Sequence, residues 1–502
     1  MTLPDSPSPA ASSCPHPAPA PSLLGDFAEE KNRCWAEQGL LRTPVRFDGP
    51  QTPMTLIEGI EMCLFASSDY LGLSVHPAVQ EAAIQAIHDF GTGSGGSRLT
   101  TGTNLHSALE RQLAAFFGVE DAVFFATGYQ ANLSTIATIA TASTTIYSDE
   151  LNHASIIDGC RMSKAQVHVY PHNDMEMLEY LLKECTTPHA LVISDAVFSM
   201  TGEVAHISAL RALCSTHKAW LLLDDAHGVG ALGATGRGIT EQTGIDLTRE
   251  ILIGTASKAL GSEGGFVLCN HEVATLLRNR ARSYVFSTSP TPATVASVAA
   301  ALSVIEDEPE RLEALQNNIA YFSRLLGIPA PQTPIVPIHV GDSVCAVRIS
   351  QSLADEGFFV PAIRYPTVAH QSALLRVTLT AAHTTQQLRR LAEASSGCSL
   401  QSLDECPCTI RNRRTRKIRV TSPCRPSVAS VQVFVSVTHE YLQQRHYKSG
   451  ALKKAALPHQ QSSVLWTHQS QQSGQRLPVP SPPDQQTSHN PTESSAPPGH
   501  PQ

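Results

Sequence analysis

Six short apolar runs follow one another between residues 121 and 257: "DAVFFAT", "TTIYSD", "QVHVYP", "HALVISDAVFS", "WLLLDDA" and "EILIGTAS". They show little sign of a polar face. Segments of helical periodicity lie between several of them, as in "QANLSTIATIATA", and two more, "PAVQEAAIQAIHDF" and "LHSALERQLAAFFG", precede them. A strand that is apolar on both faces belongs in a sheet covered on both sides. Helices between successive strands carry the chain back, so the strands run parallel. The expected fold class is α/β, with a mostly parallel sheet flanked by helices.

A chain of 502 residues is longer than one ordinary domain needs. Residues 1–22 are rich in Pro, Ala and Ser and are expected to be a disordered extension. Residues 23–66 form an N-terminal segment that opens with the helical pattern "LLGDFAEEKNRCWAEQGLL", and 67–305 hold the strand–helix alternation. From 306 to 396 the pattern changes. A long amphipathic segment, "ERLEALQNNIAYFSRLLG", leads into "PIVPIHV", "AVRISQSLADEGFFV" and "ALLRVTLTAAH", as in a smaller α+β domain that ends in a helix near "TTQQLRRLAEAS". Residues 397–502 read as a low-complexity, disordered tail, with "VASVQVFVSVTHEYL" as an isolated strand candidate.

Charge follows the same division. From Gly397 onward there are 12 basic and 5 acidic residues, an excess of 7 that leaves the first 396 residues acidic by 15. An acidic body gives no reason to expect nucleic-acid binding. The basic run from Arg411 to Arg419 reads as solvated charge. Cys34, Cys63, Cys160, Cys185, Cys214, Cys269 and Cys345 are scattered singly, as in a cytoplasmic protein with reduced thiols. Cys406 and Cys408 lack a second ligand pair, so no metal site is expected. The first residues have neither the basic nor the apolar part of a secretory signal. No apolar run approaches the ~18 residues of a membrane span.

Two stretches fit a dinucleotide glycine pattern. "GTGSGG" follows a helical segment rather than a strand. "GVGALG" follows "WLLLDDA" but is not succeeded by an amphipathic helix. Neither has the context that such a site requires. A stronger constellation lies where the expected strands end, which is where open α/β sheets hold ligands. Asp224, Asp225 and His227 follow one strand, Asp195 and Ser199 another, and Thr255 and Lys258 a third. Thr127, Gly128 and Tyr129 stand at a strand-to-helix turn, whose free N–H groups suit a phosphate. His153 stands at another such junction. Pyridoxal phosphate (PLP) needs a lysine for a Schiff base, a carboxylate facing its pyridine nitrogen, a flat partner over its ring, and N–H donors for its phosphate. The constellation supplies all of these.

From Leu23 to Ser395 the chain also resembles the PLP-dependent α-oxoamine synthases of fold type I. The motifs that carry the likeness are "FASSDYLGL", "GTGSGGSRLTTGTNLHSALE", "FFATGYQANLS", "DELNHASIIDG", "VFSMTGE", "DDAHGVGALGATGRG", "GTASKALGSEGGF", "FSTSPTP" and "LLRVTLTAAH". "GSGGSRLTTGT" and "IRYPTV" are most like the branch that condenses L-alanine with a pimeloyl thioester, on CoA or acyl carrier protein, to give 8-amino-7-oxononanoate. The resemblance implies a seven-stranded, mostly parallel sheet and a homodimer with its active site at the subunit interface. It implies that Lys258 binds the cofactor covalently and moves protons. Asp224 would meet the pyridine nitrogen, and His227 and Ser199 the phenolic oxygen. His153 would stack on the ring. Thr127, Gly128, Tyr129 and Thr255 would hold the phosphate, with Thr288 reaching it from the second subunit. Arg376 would bind the amino-acid carboxylate, with Ser68 beside it, and Arg42 and Arg364 would face the acyl donor. Asp225 is expected to position a turn.

The chain departs from the family at three places. Ser68 stands where an asparagine is usual. "YPTVAHQ", Tyr365 to Gln371, lacks a proline and a glycine usual in that loop, and the region between "LLGIP" and "PIVPI" is short. The alternatives are another α-oxoamine synthase, of the glycine C-acetyltransferase or 5-aminolevulinate synthase type, and, from another functional class, a PLP-binding protein without efficient condensation.

Overall fold

A computed structural model describes residues 23–404. Thirteen strands occur among them: β1 Met54–Ile57, β2 Ile60–Leu64, β3 Asp121–Phe125, β4 Thr144–Asp149, β5 Gln166–Tyr170, β6 His189–Asp195, β7 Trp220–Asp224, β8 Glu250–Thr255, β9 Gly265–Cys269, β10 Ile335–Gly341, β11 Phe358–Phe359, β12 Ala362–Ile363 and β13 Ala373–Thr378. Seven form one sheet in the order β3-β9-β8-β7-β6-β4-β5. Only β9 runs antiparallel to its neighbours. The six apolar runs are six of these strands. The seventh, β9, begins in the glycine-rich stretch after Lys258, where the sequence reads as a loop.

Alternation along each strand feeds two apolar layers. In β7, Leu221 and Leu223 enter one layer with Leu109, Leu210 and Val298, while Leu222 enters the other with Ile136 and Ile156. β4, β8 and β9 are buried along their whole length. β5 differs because it is an edge strand, and its Gln166, Val167 and Val169 are exposed. Burial of each such leucine contributes about 1.5–3 kcal/mol, so both faces of the sheet must stay covered. The helices Gly128–Ile139 and Ala154–Met162 cover one face, and Asn104–Phe117, Ile207–His217 and Pro292–Asp307 the other. Because β3, β4, β6, β7 and β8 are mutually parallel, their carboxyl ends share one edge of the sheet.

The glycines of "GVGALG" have a packing explanation. A Cβ on Gly228 would fall 1.9 Å from Asp225 Oδ1, one on Gly230 2.3 Å from Ala259 Cβ, and one on Gly233 2.2 Å from Glu241 Oε2. Asp225 accepts the Ile239 N–H at 2.7 Å, fixing the turn ahead of the helix Ile239–Thr243. Close packing, not a dinucleotide, sets this pattern.

After the helix Glu310–Leu326 the chain builds a second, antiparallel sheet, β10-β13-β12, with the helices Ser343–Asp355 and Thr385–Asp404. The last helix carries the backbone on past Ser396. The expectations for residues 1–22, the Cys406/Cys408 pair, the basic run and the rest of the tail lie outside the described residues. β1 and β2 form a hairpin whose turn residues, Glu58 and Gly59, both have positive φ, +51° and +79°. The dipeptide is the one local signal of this hairpin. β2 then pairs in parallel with β11, Cys63 opposite Phe358. Cys63, Cys160, Cys185, Cys214 and Cys269 are free thiols, but Cys345 is disulfide-bonded, against the expectation of reduced thiols throughout.

His383 fastens these parts together. Its Nδ1 accepts the Thr380 N–H at 2.9 Å, its Nε2 donates to Leu64 O at 2.9 Å, and its ring stacks on Phe65 at 4.3 Å. Both ring nitrogens are committed in the neutral form, and a second proton would meet the Thr380 N–H. Burial pushes the pKa down to about 4 from an ordinary 6.5. A group whose folded pKa is depressed stabilises above its unfolded pKa and loses that contribution as pH falls. The full contribution of His383 is therefore present above about pH 6.5 and is lost toward pH 4, a span of about 3 kcal/mol. Chemical unfolding of wild type and His383→Asn should show the largest stability gap at pH 7 to 8 and a narrowing gap toward pH 4. A gap independent of pH would contradict this account.

Candidate active site

At the shared edge of strand ends lies a cavity of about 310 Å³. Nine of the residues expected from sequence line it: Thr127, Gly128, Tyr129, His153, Ser199, Asp224, His227, Thr255 and Lys258. They come from the ends of different strands and the helices that follow, so the parallel sheet brings together residues far apart in the chain. Lys258 sits just beyond β8. Burial pulls its pKa down to about 8, a shift that Asp224 and Asp195 oppose and Arg376 reinforces. An amine at that value is available as free base near neutral pH, unlike a solvated lysine.

Asp224 ends β7 and is buried. It accepts Asn132 Nδ2 at 2.5 Å and the Ala226 N–H at 2.9 Å. These donors hold its carboxylate in place at the cavity. Asn132 Nδ2 also reaches Ser155 Oγ at 3.1 Å, and Ser155 Oγ lies 2.7 Å from His153 Nδ1. One chain of contacts thus ties the carboxylate to the histidine at the cavity mouth. Asp195, opposite Asp224 in the β6–β7 register, also lines the cavity, and burial and the neighbouring Asp224 push its pKa well up. Asp225 points away, to the turn already described. Burial raises its pKa to about 8.

The helix Gly128–Ile139 aims its N-terminus at the cavity. Thr127 caps it by accepting the Gln130 N–H at 3.1 Å. Gly128 and Tyr129 come before that first capped N–H, with their own N–H groups on the cavity side. Across from them, Thr255 Oγ1 lies 2.8 Å from Ser257 Oγ. The approach is close. A Cβ on Gly265 would fall 2.5 Å from Gly128 Cα, and one on Gly128 3.1 Å from Thr255 Oγ1. Glycine is required at Gly265, and at Gly128 a side chain would press against Thr255. Free N–H groups, a positive dipole end and two hydroxyls make an anion cradle. With Lys258 and Asp224 facing the same space, this donor set fits pyridoxal phosphate.

The other expected residues lie off the cavity wall. Arg376 is buried behind Ser199, donating from Nε to Ser199 O at 2.6 Å and from Nη1 to Thr378 Oγ1 at 2.8 Å. Ser68 and the Arg376 guanidinium both lie near the buried Tyr70 hydroxyl. Arg42 and Arg364 line a separate hollow of about 340 Å³ with Leu41, Thr43, Ala362, Ile363 and Thr367. Arg42 donates to Thr367 Oγ1 at 2.9 Å, and Arg364 donates to the Gly39 and Leu41 carbonyls. Thr288 is exposed, near Phe286, which is 74% exposed. In the altered "YPTVAHQ" loop, the Tyr365 and His370 rings stack 3.9 Å apart.

Sequence reading missed Tyr70, Asn132, Ser155, Ser257 and Glu263. Asn132 and Ser155 sit one turn into helices, four and two residues beyond Gly128 and His153. A helix that aims its N-terminus at a ligand also turns its first inward side chain there, and that spacing was the available signal.

Comparison with known proteins agrees with this geometry. Residues 60–394 match the family model for aminotransferase class I and II. The chain is 48% identical to a biotin biosynthesis bifunctional protein BioWF of Corynebacterium kroppenstedtii, over 74% of this chain and 58% of that protein. It spans little more than half the length of such bifunctional relatives. It is 41% identical to an 8-amino-7-oxononanoate synthase of Aromatoleum aromaticum, over 74% of this chain and 97% of that one. Among solved structures, a serine palmitoyltransferase variant from S. paucimobilis with a bound PLP–myriocin aldimine superposes with a TM-score of 0.71. It is 29% identical and covers 76% of this chain and all of that one. The chain belongs to the aminotransferase class I and II family, among its PLP-dependent members that resemble 8-amino-7-oxononanoate synthase.

Proposed function

We propose that the protein is a PLP-dependent acyltransferase that condenses L-alanine with a pimeloyl thioester, yielding 8-amino-7-oxononanoate, CO2 and the free thiol carrier. One observation carries this reading. Lys258, with its lowered pKa, faces Asp224 and the free helix N-terminus at Gly128 across a single cavity. The relatives named for 8-amino-7-oxononanoate synthesis support the choice of substrates.

When bound, the cofactor supplies an electron sink for negative charge at the amino acid's α-carbon. The chain's own residues do the rest. Thr127, Gly128, Tyr129 and Thr255 would anchor its phosphate. Asp224, held in place by Asn132 and the Ala226 N–H, would pair with the pyridine nitrogen. His153 would cover the ring, and His227 and Ser199 would meet the phenolic oxygen. Lys258 Nζ would take the α-proton and later return one to the product.

Arg376 has five N–H donors. Ser199 O and Thr378 Oγ1 occupy two. Three remain, enough to bind a carboxylate with both oxygens. The Arg42–Arg364 hollow faces the acyl donor in this reading. Exposed Phe286 and Thr288 meet a second subunit, so the working form is a homodimer, in the cytoplasm.

A second reading keeps the chemistry and changes the substrates. It is favoured by the match to serine palmitoyltransferase and by Ser68 in place of the usual asparagine. A substrate panel separates the two. Purified protein supplied with PLP should turn yellow, and alanine should alter that spectrum. Alanine with pimeloyl thioester should release CO2 faster than glycine or serine with acetyl, succinyl or palmitoyl donors. Lys258→Ala should abolish turnover, a fall of at least ~10³-fold for a lost proton-transfer group. Turnover of another pair at tenfold higher kcat/KM would overturn the substrate assignment.

The pH dependence follows from Lys258. Its free amine grows as pH rises through about 8. Cofactor uptake by the apoenzyme, followed by absorbance, should accelerate with pH and level off above about 8. Asp224 holds the Lys258 pKa up, so in Asp224→Asn the plateau should begin at lower pH. An unchanged profile would refute the electrostatic account.

A further inference from the structure

We propose that Tyr70 is the positioning residue for His227: its hydroxyl donates to His227 Nδ1, leaving the ring's one proton on Nε2, the nitrogen available to the cavity. Tyr70 is fully buried, and its Oη lies 2.6 Å from His227 Nδ1. Distance alone does not say which atom carries the proton, but the neighbours do. Buried beside the Arg376 guanidinium, the Tyr70 hydroxyl has His227 Nδ1 as its hydrogen-bond partner. A proton on Nδ1 would leave the phenol's own buried proton without an acceptor, so the hydroxyl donates and Nδ1 accepts.

The surroundings of His227 agree. It is buried beside Lys258, Arg376 and His153, so a second ring proton is disfavoured and the imidazole stays neutral. Asp224 and Asp225 lie just before it in the chain. A neutral ring that accepts at Nδ1 must carry its proton on Nε2. Tyr70 cannot swing away. Its N–H bonds to Ser68 O at 2.8 Å, and its carbonyl accepts the Ala381 N–H at 2.7 Å.

The inference rests on the PLP reading for only one of its two readouts. The first needs no cofactor. In full-length protein labelled with ¹⁵N-histidine, with the His227 signals assigned by their loss in His227→Asn, Nδ1 should appear unprotonated and Nε2 protonated. Tyr70→Phe, which keeps the ring, should abolish that fixed pattern. The second readout is the pH midpoint of the visible band of the holoenzyme. Without an oriented Nε2–H donor, the cofactor's phenolic oxygen would keep more negative charge and hold the neighbouring imine proton more tightly. The midpoint should rise in Tyr70→Phe.

A protonated Nδ1 in the wild type would overturn the proposal, even if Tyr70→Phe failed to fold. So would a well-folded Tyr70→Phe whose His227 signals were unchanged. An unmoved midpoint would overturn the cofactor-facing half of it. A protein that took up no PLP would sink the proposed function, while the nitrogen signals would still decide the role of Tyr70.

Discussion

Lys258 is a cation placed where burial discourages charge, and the fold around it is arranged to manage that conflict. Three carboxylates, Asp224, Asp195 and Asp225, pull its pKa up, while burial and Arg376 pull it down. The carboxylates come from the ends of two neighbouring parallel strands, and the lysine follows a third. Such a set can form only where parallel strands finish together. The edge that gathers these charges exists because the strands are buried on both faces and must be joined by covering helices. The two apolar layers and the chemistry at the sheet's end are therefore one design. A strand shifted by one residue would turn its core side chains to the wrong layer and move its terminal carboxylate off the cavity.

The carboxylates are close but have different partners. Asp224 accepts from Asn132 and from the Ala226 N–H. Asp225 is committed to a turn and packed between glycines that leave it room. Asp195 is buried and pushed toward its neutral form. Like-charged groups at this range cannot all be ionised cheaply. Behind Ser199, Arg376 serves a backbone carbonyl and a threonine hydroxyl.

Much of this could be read in the chain. Two-sided apolar runs gave six strands of the main sheet, because burial on both faces leaves a mark that needs no tertiary context. Strand ends followed by Asp, His, Thr and Lys gave nine residues of the cavity wall. β9 escaped because glycines introduce it, and the hairpin β1–β2 because its only local mark is Glu58–Gly59. Tyr70 and Asn132 escaped for another reason. Tyr70 meets His227 across 157 positions and Asn132 meets Asp224 across 92. No periodicity records a contact between one element and another so far along the chain. Arg376 was found through resemblance alone, since on an isolated strand it reads as an ordinary charged residue.

The pairing of β2 with β11 has a consequence for how the chain is made. Cys63 finds its partner at Phe358, roughly 300 residues later. During synthesis at ~5–20 residues per second, β2 would wait ~15–60 s for that partner to emerge. The hairpin thus leaves the ribosome long before it can be finished, with an unpaired strand edge in the interval. Such an edge invites pairing with other nascent chains. The hairpin's own tight turn, which forms without waiting for anything downstream, keeps one side of β2 occupied until its distant neighbour arrives.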